Sequence, residues 1–165
     1  MHVPFHPAVD TLSMNKTLLY VEDDSADVIV VRKALLGSNI PFNLHVVREG
    51  LASLAYLGGK GIYSDRENFP LPDVLLLNVR PENKRPYEVL EGVRDDKQFR
   101  YLPILVQSNG FRAGDIKDAT DSGATACFRK TADCGKLLEF LQAKVKSYAM
   151  REACAARDRA SRANA

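Results

Sequence analysis

The ends of four apolar runs in this chain carry residue types that together suggest phosphoryl-group chemistry. Glu22, Asp23 and Asp24 follow one apolar run, Asn78 closes a second, Ser108 a third, and Lys130 a fourth. Two carboxylates can hold a Mg²⁺ ion whose shell is completed by water and a carbonyl oxygen. A hydroxyl and an ammonium can hold phosphoryl oxygens. Asn78 breaks the set. A pocket of this kind wants a carboxylate nucleophile there, and a carboxamide has no such oxygen.

These residues need a scaffold that brings several chain segments to one edge. Five short apolar runs read as strands: 17–21, 43–47, 73–77, 103–107 and 125–128. The first, third and fourth are apolar almost throughout, as strands buried on both faces of a parallel sheet are. Helical spacing predicts helices over 25–38, 49–57, 86–94, 112–121 and from Cys134 to about Met150. Asp24 or Ser25 can serve as the first N-cap, with Gly37 near that helix's end. The fourth helix is the weakest, with Gly114 inside it and Ile116 and Ala119 as its apolar anchors. Strict alternation of strand and helix predicts an α/β fold, a five-stranded parallel sheet covered on both faces. In such a sheet, ligands sit beyond the carboxyl ends of the strands, where the four polar positions fall.

Composition narrows the class. With 165 residues, 45% hydrophobic and 27% charged, the chain fits one domain with modest tails. A net charge of +2 does not point to nucleic acid. No apolar stretch approaches the roughly 20 residues of a membrane span. The start, Met1 to Pro7, lacks the basic and apolar regions of a secretory signal. Three cysteines, Cys127, Cys134 and Cys154, have no CxxC spacing and suggest reduced thiols in a cytoplasm. Residues 1–14 read as an N-terminal arm, 15–149 as the folded domain and 150–165 as a basic Ala/Arg tail or an extension of the last helix. A long loop, 58–72, precedes the third strand.

Over about residues 15–149 the chain resembles the response-regulator receiver domain, and most of all the stand-alone regulators that partner bacterial phytochrome-type histidine kinases. The stretches that carry the likeness are LLYVEDDSADVIVVRKALL (18–36), HVVREG (45–50), YEVLEG (87–92) and LPILVQS (102–108). The resemblance implies a flavodoxin-like fold with strand order 2-1-3-4-5. It matches Glu22 and Asp23 to the Mg²⁺-binding acidic pair, with the Arg80 carbonyl as a further ligand. Asn78 matches the phosphoaccepting Asp, Ser108 the switch hydroxyl, Cys127 the aromatic switch position and Lys130 the family's Lys. Several positions depart from the pattern: Pro81 falls one place early, Glu82 replaces the Pro, Pro86 the Gly, and Thr131 the Pro after the Lys. Together with Asn78 and Cys127 they read as drift after the chemistry was abandoned.

The expectation is a pseudo-receiver of two-component signalling, not an enzyme, that works by protein–protein contact without phosphorylation. It would require no cofactor, with weak Mg²⁺ binding as a residue of its ancestry. Its partners would be a histidine kinase, another receiver or a downstream signalling protein, with a homodimer through the fourth helix, fifth strand and fifth helix as a further option. A membrane or nucleic-acid role is not expected. The competing readings are a receiver phosphorylated on Asp23 or Asp73, a small flavodoxin-like enzyme or nucleotide binder, and a DNA-associated protein acting through its tail. The acidic first turn, with no Gly-rich loop, disfavours the nucleotide reading.

Each residue also has a plainer role. Glu22 and Asp23 would complement a helix dipole. Lys130 would be a counter-ion to Asp23, Ser108 a strand-end hydroxyl and Cys127 a small buried packing residue. His2 and His6 have Pro4 between them, which spoils the helix a metal pair would need. The tail arginines would form a solvated helix face. An aspartate at 78 would place like charges about 4 Å apart, a repulsion of roughly 4 kcal/mol at an effective dielectric near 20.

Overall fold

The computed structural model of the chain describes residues 15–80 and 85–163. Five strands and five helices alternate: β1 (Lys16–Val21), α1 (Ser25–Ser38), β2 (Phe42–Val47), α2 (Gly50–Leu57), β3 (Val74–Asn78), α3 (Arg85–Asp95), β4 (Ile104–Ser108), α4 (Asp115–Asp121), β5 (Ala126–Arg129) and α5 (Gly135–Ala163). All strand pairs are parallel, and the sheet order is β2-β1-β3-β4-β5. This is the flavodoxin-like order expected of the sequence.

Alternation of side chains along each strand divides the core into two. Leu19, Leu75, Leu77, Ile104 and Val106 pack with Val89, Leu90, Val93 and Ala119 on one face. Leu18, Tyr20, Leu76 and Leu105 pack with Val31, Leu35, Leu137 and Leu141 on the other. Both faces are buried, which explains why β1, β3 and β4 read as continuous apolar runs. Asp24 caps α1, its side chain accepting from the Ala26 amide at 2.8 Å. Gly37 lies within that helix; Asn39 ends it in the left-handed conformation at φ 55°.

The fourth helix differs from expectation. Gly114, at φ +91°, precedes α4 instead of lying inside it, so the helix is only seven residues long. A helix that short buries little: Ala119 is fully buried, but Ile116 faces solvent. At the other end of the chain, α5 continues without a break to Ala163. At 1.5 Å per residue its 29 residues measure about 44 Å, and every described residue beyond Ala149 is exposed. The tail arginines thus lie on a solvated helix. No helix among the described residues is long and apolar enough to cross a membrane. The expected N-terminal arm, and the altered positions Pro81 and Glu82, lie outside the described residues.

The loop before β3 holds a 3₁₀ turn, Gly61–Ser64, and is organised by Arg66. Its guanidinium donates to the carbonyls of Tyr56 at 2.8 Å, Leu57 at 2.7 Å and Phe69 at 3.2 Å. Tyr56, Tyr63, Phe69 and His45 form an aromatic cluster beneath it. The Tyr56 hydroxyl donates to Pro70 O at 2.9 Å, and burial pushes its pKa up to about 12.

Candidate functional site

Strand register brings the polar positions to one edge. Val21 pairs with Leu77, Asn78 with Gln107 and Ser108 with Arg129, so β1, β3, β4 and β5 end nearly level. Backbone hydrogen bonds carry the alignment into the loops, with Lys130 N–H on Ser108 O at 2.9 Å and Val79 N–H on Gln107 O at 2.8 Å. Glu22, Asp23, Asn78, Ser108 and Lys130 therefore gather at the carboxyl end of the sheet, as their positions in the sequence require.

Glu22 is the centre of the cluster, and its side chain has no solvent exposure. Its carboxylate accepts from three donors: the Lys130 ammonium at 2.7 Å, the Tyr20 hydroxyl at 2.9 Å and the Asp24 amide at 3.0 Å. Burial alone would raise its pKa, yet the Lys130 hydrogen bond and charge, the Asp24 amide and the Tyr20 hydroxyl together hold it below the ordinary value. Gln107, itself buried, donates to the Tyr20 oxygen at 2.5 Å. Burial and the neighbouring Glu22 carboxylate push the Tyr20 phenol upward, so it stays protonated and donating.

Lys130 does not pair with Asp23, as the plainer reading of the sequence had it. Its ammonium bridges Glu22 and Asp27, the latter on the first turn of α1. The physical reason is burial. The Lys130 side chain is 11% exposed, and the buried Glu22 carboxylate needs a cation more than the 59%-exposed Asp23 does. Asp23 takes Arg80 instead, with the guanidinium Nη2 at 2.8 Å from Oδ1. Three carboxylates, Glu22, Asp23 and Asp27, thus meet two protein cations.

Asn78 lies half-buried at the end of β3. Among the described residues, no hydrogen bond joins it to Glu22, Asp23, Ser108 or Lys130. Ser108 is buried, and its hydroxyl is occupied locally, donating to Gly110 O at 3.0 Å and accepting from Gly110 N–H at 3.2 Å. Cys127 is half-buried instead of fully so, packed against the α2–α4 side of the core. Burial pushes its thiol pKa up, outweighing the opposing hydrogen bond with Thr120, and so disfavours the reactive thiolate. On the α1–α5 side a cavity of about 180 Å³ adjoins Lys130, walled by Tyr20, Asp27, Gln107, Phe128 and Leu137.

Sequence reasoning missed Tyr20, Asp27, Gln107 and the Arg80 side chain. Two of them carried a readable signal. Tyr20 sits two residues before Glu22, on the same face of β1, and Gln107 is the one long polar side chain in the β4 run. Asp73 sits at the opposite end of β3, accepting from Thr17 N–H at 2.8 Å. Five residues of strand, about 17 Å, separate it from Asn78 at the functional edge.

Glu22 and Asp23, which the resemblance assigns to a divalent cation, fit one poorly here. Glu22 already accepts three hydrogen bonds, and Asp23 is held by a guanidinium. Among the described residues, no group of three or more His, Cys, Asp or Glu side chains is placed to hold a metal.

A 2-1-3-4-5 parallel sheet with an acidic cluster after β1 and a lysine after β5 defines a receiver-type α/β domain. Comparison with known proteins gives the family. The chain is 31% identical to the bacteriophytochrome response regulator RtBRR, covering 70% of this chain and 69% of that one, with a TM-score of 0.60. The chain belongs to the response regulators of two-component signalling. It is 28% identical over 127 residues to response regulator Rcp1 of Synechocystis sp., spanning 77% of this chain and 84% of that protein. The Mn²⁺-bound crystal structure of Rcp1 superposes with a TM-score of 0.63, and that of the phosphorylated cyanobacterial phytochrome response regulator RcpA with 0.65. Each is 28% identical and covers 78% of this chain and 90% of its own. No protein-family model matches the chain.

Proposed function

We propose that this response regulator signals by protein–protein contact and does not accept a phosphoryl group at position 78. The observation that carries the reading is Asn78 itself, at the end of β3 among Glu22, Asp23, Ser108 and Lys130. A phosphoaspartate is an acyl phosphate formed by carboxylate attack, and an amide offers no oxygen nucleophile for that step. The surrounding groups support it. Lys130 is spent on Glu22 and Asp27, and the Ser108 hydroxyl on Gly110, so neither is free to meet a phosphoryl oxygen without breaking contacts.

In this reading no metal or cofactor is required, and the conformation is set by sequence instead of by phosphate. The likeness to RtBRR, Rcp1 and RcpA favours a phytochrome-type histidine kinase or another regulator of its pathway as partner, in the cytoplasm. The faces offered are α4, β5 and α5, through which a homodimer could also form. Phosphorylation on Asp73 is disfavoured by its place at the far end of the strand, and on Asp23 by the Arg80 ion pair. The test is incubation with acetyl phosphate and Mg²⁺, read by intact mass. No added phosphate is expected; stoichiometric labelling overturns the reading, and its loss in D23N would identify Asp23 as the acceptor.

A further inference from the structure

We propose that Arg80 is a second resident cation of this pocket beside Lys130, holding the Asp23 carboxylate that a divalent metal ion would otherwise need. The proposal rests on the reading that the pocket no longer handles phosphate, and it names what keeps the acidic cluster together instead. Glu22 and Asp23 stand at the sheet edge with Asp27 above them on α1, three carboxylates that repel unless cations intervene. Lys130 serves Glu22 and Asp27. The remaining carboxylate, Asp23, is served by Arg80 at 2.8 Å.

Arg80 comes from the loop after β3, two residues beyond Asn78, and Asp23 from the loop after β1. Their contact joins the two loops across the top of the sheet. A bound metal ion would join the same loops only when its concentration sufficed. A guanidinium stays charged at every physiological pH and is always present, so the link made by Arg80 is constitutive. The pair is also open to challenge, since Asp23 is 59% exposed and Arg80 49%. An exposed ion pair of this kind is a weak competitor. Divalent cations should therefore be excluded partially, to a degree that removal of the guanidinium reveals.

The experiment is Mn²⁺ titration of the full chain, following the electron-paramagnetic signal of free Mn²⁺. The variants are R80A, R80M and R80A/D23N, with R80M keeping the aliphatic stem in case truncation alone disturbs the loop. Loss of an internal competitor and of a like charge should tighten the apparent Mn²⁺ Kd by about threefold to tenfold in both single variants. Adding D23N should abolish the gain. Equal affinity in the parent and both Arg80 variants overturns the proposal, as does a gain that survives D23N. Acetyl-phosphate labelling reports separately on the phosphoryl reading, so that reading can fail while the Arg80 result stands.

Discussion

Lys130 Nζ lies 2.7 Å from Glu22 Oε2, and the Glu22 side chain is wholly removed from solvent. The ammonium has crossed from the end of β5 to the end of β1, and it also reaches Asp27 on α1. One side chain thus ties three elements at the functional edge of the sheet. A buried carboxylate stripped of its cation costs about 3–5 kcal/mol, more than the pair contributes when both partners are replaced together. K130A should lower stability by about 3 kcal/mol in urea titrations. The double variant E22Q/K130M should lose clearly less than the sum of E22Q and K130M. Additive losses would mean that the two side chains are not coupled.

Glu22 also predicts how stability follows acidity. Its folded-state pKa is lowered, chiefly by Lys130 acting against burial. A carboxylate of this kind contributes stability above its unfolded value, and the contribution is lost as pH falls through the folded one. Thermal melting should therefore hold steady from pH 7 down to about pH 5 and fall more steeply below it than in E22Q. Matching slopes for the two proteins below pH 5 would remove Glu22 from the acid transition.

The Tyr20 hydroxyl stands between Gln107 and Glu22, accepting from one at 2.5 Å and donating to the other at 2.9 Å. Y20F removes both contacts and leaves the buried Gln107 amide without that acceptor. The expected cost is about 1–3 kcal/mol. Y20F/Q107L replaces both polar groups by apolar ones on the α1–α5 face of the core and should recover part of it. A double variant no more stable than Y20F would show that the network does not account for the loss.

The fold was legible because its signals are long and repeated. Continuous apolar strands and helical spacing at Val31, Leu35, Leu137 and Leu141 name both faces of the sheet. The edge positions followed, since a parallel sheet must bring Glu22, Asn78, Ser108 and Lys130 together. Pairing among them was not legible. Lys130 had Asp23 and Glu22 within one residue of each other in sequence, and only burial, a tertiary property, decides between them. Arg80 was read through its carbonyl because nothing in its sequence neighbourhood says that the side chain turns toward Asp23. The short α4 is a local matter: Gly114 adopts φ +91°, which a residue inside a right-handed helix does not.

N78D should convert the pocket from cation-sufficient to cation-poor. The parent holds Glu22, Asp23 and Asp27 against Lys130 and Arg80, and an aspartate at 78 adds a carboxylate with no further protein cation assigned to it. Repulsion at an effective dielectric near 20 sets an upper bound of roughly 4 kcal/mol, and the two cations reduce it, so a loss of about 1–2 kcal/mol is expected without metal. For a chain of this size that lowers the melting temperature by about 2–8 °C. Millimolar Mg²⁺ should restore much of the loss in N78D and raise the melting temperature of the parent by less, because a ligand stabilises only as far as it binds the native state. In N78D/R80A the same Mg²⁺ should stabilise more strongly, since a second position at the pocket then lacks its protein cation. Differential scanning fluorimetry in EDTA and in Mg²⁺ measures all three proteins, and melting temperatures for N78D that are equal in the two conditions would refute this account of the amide.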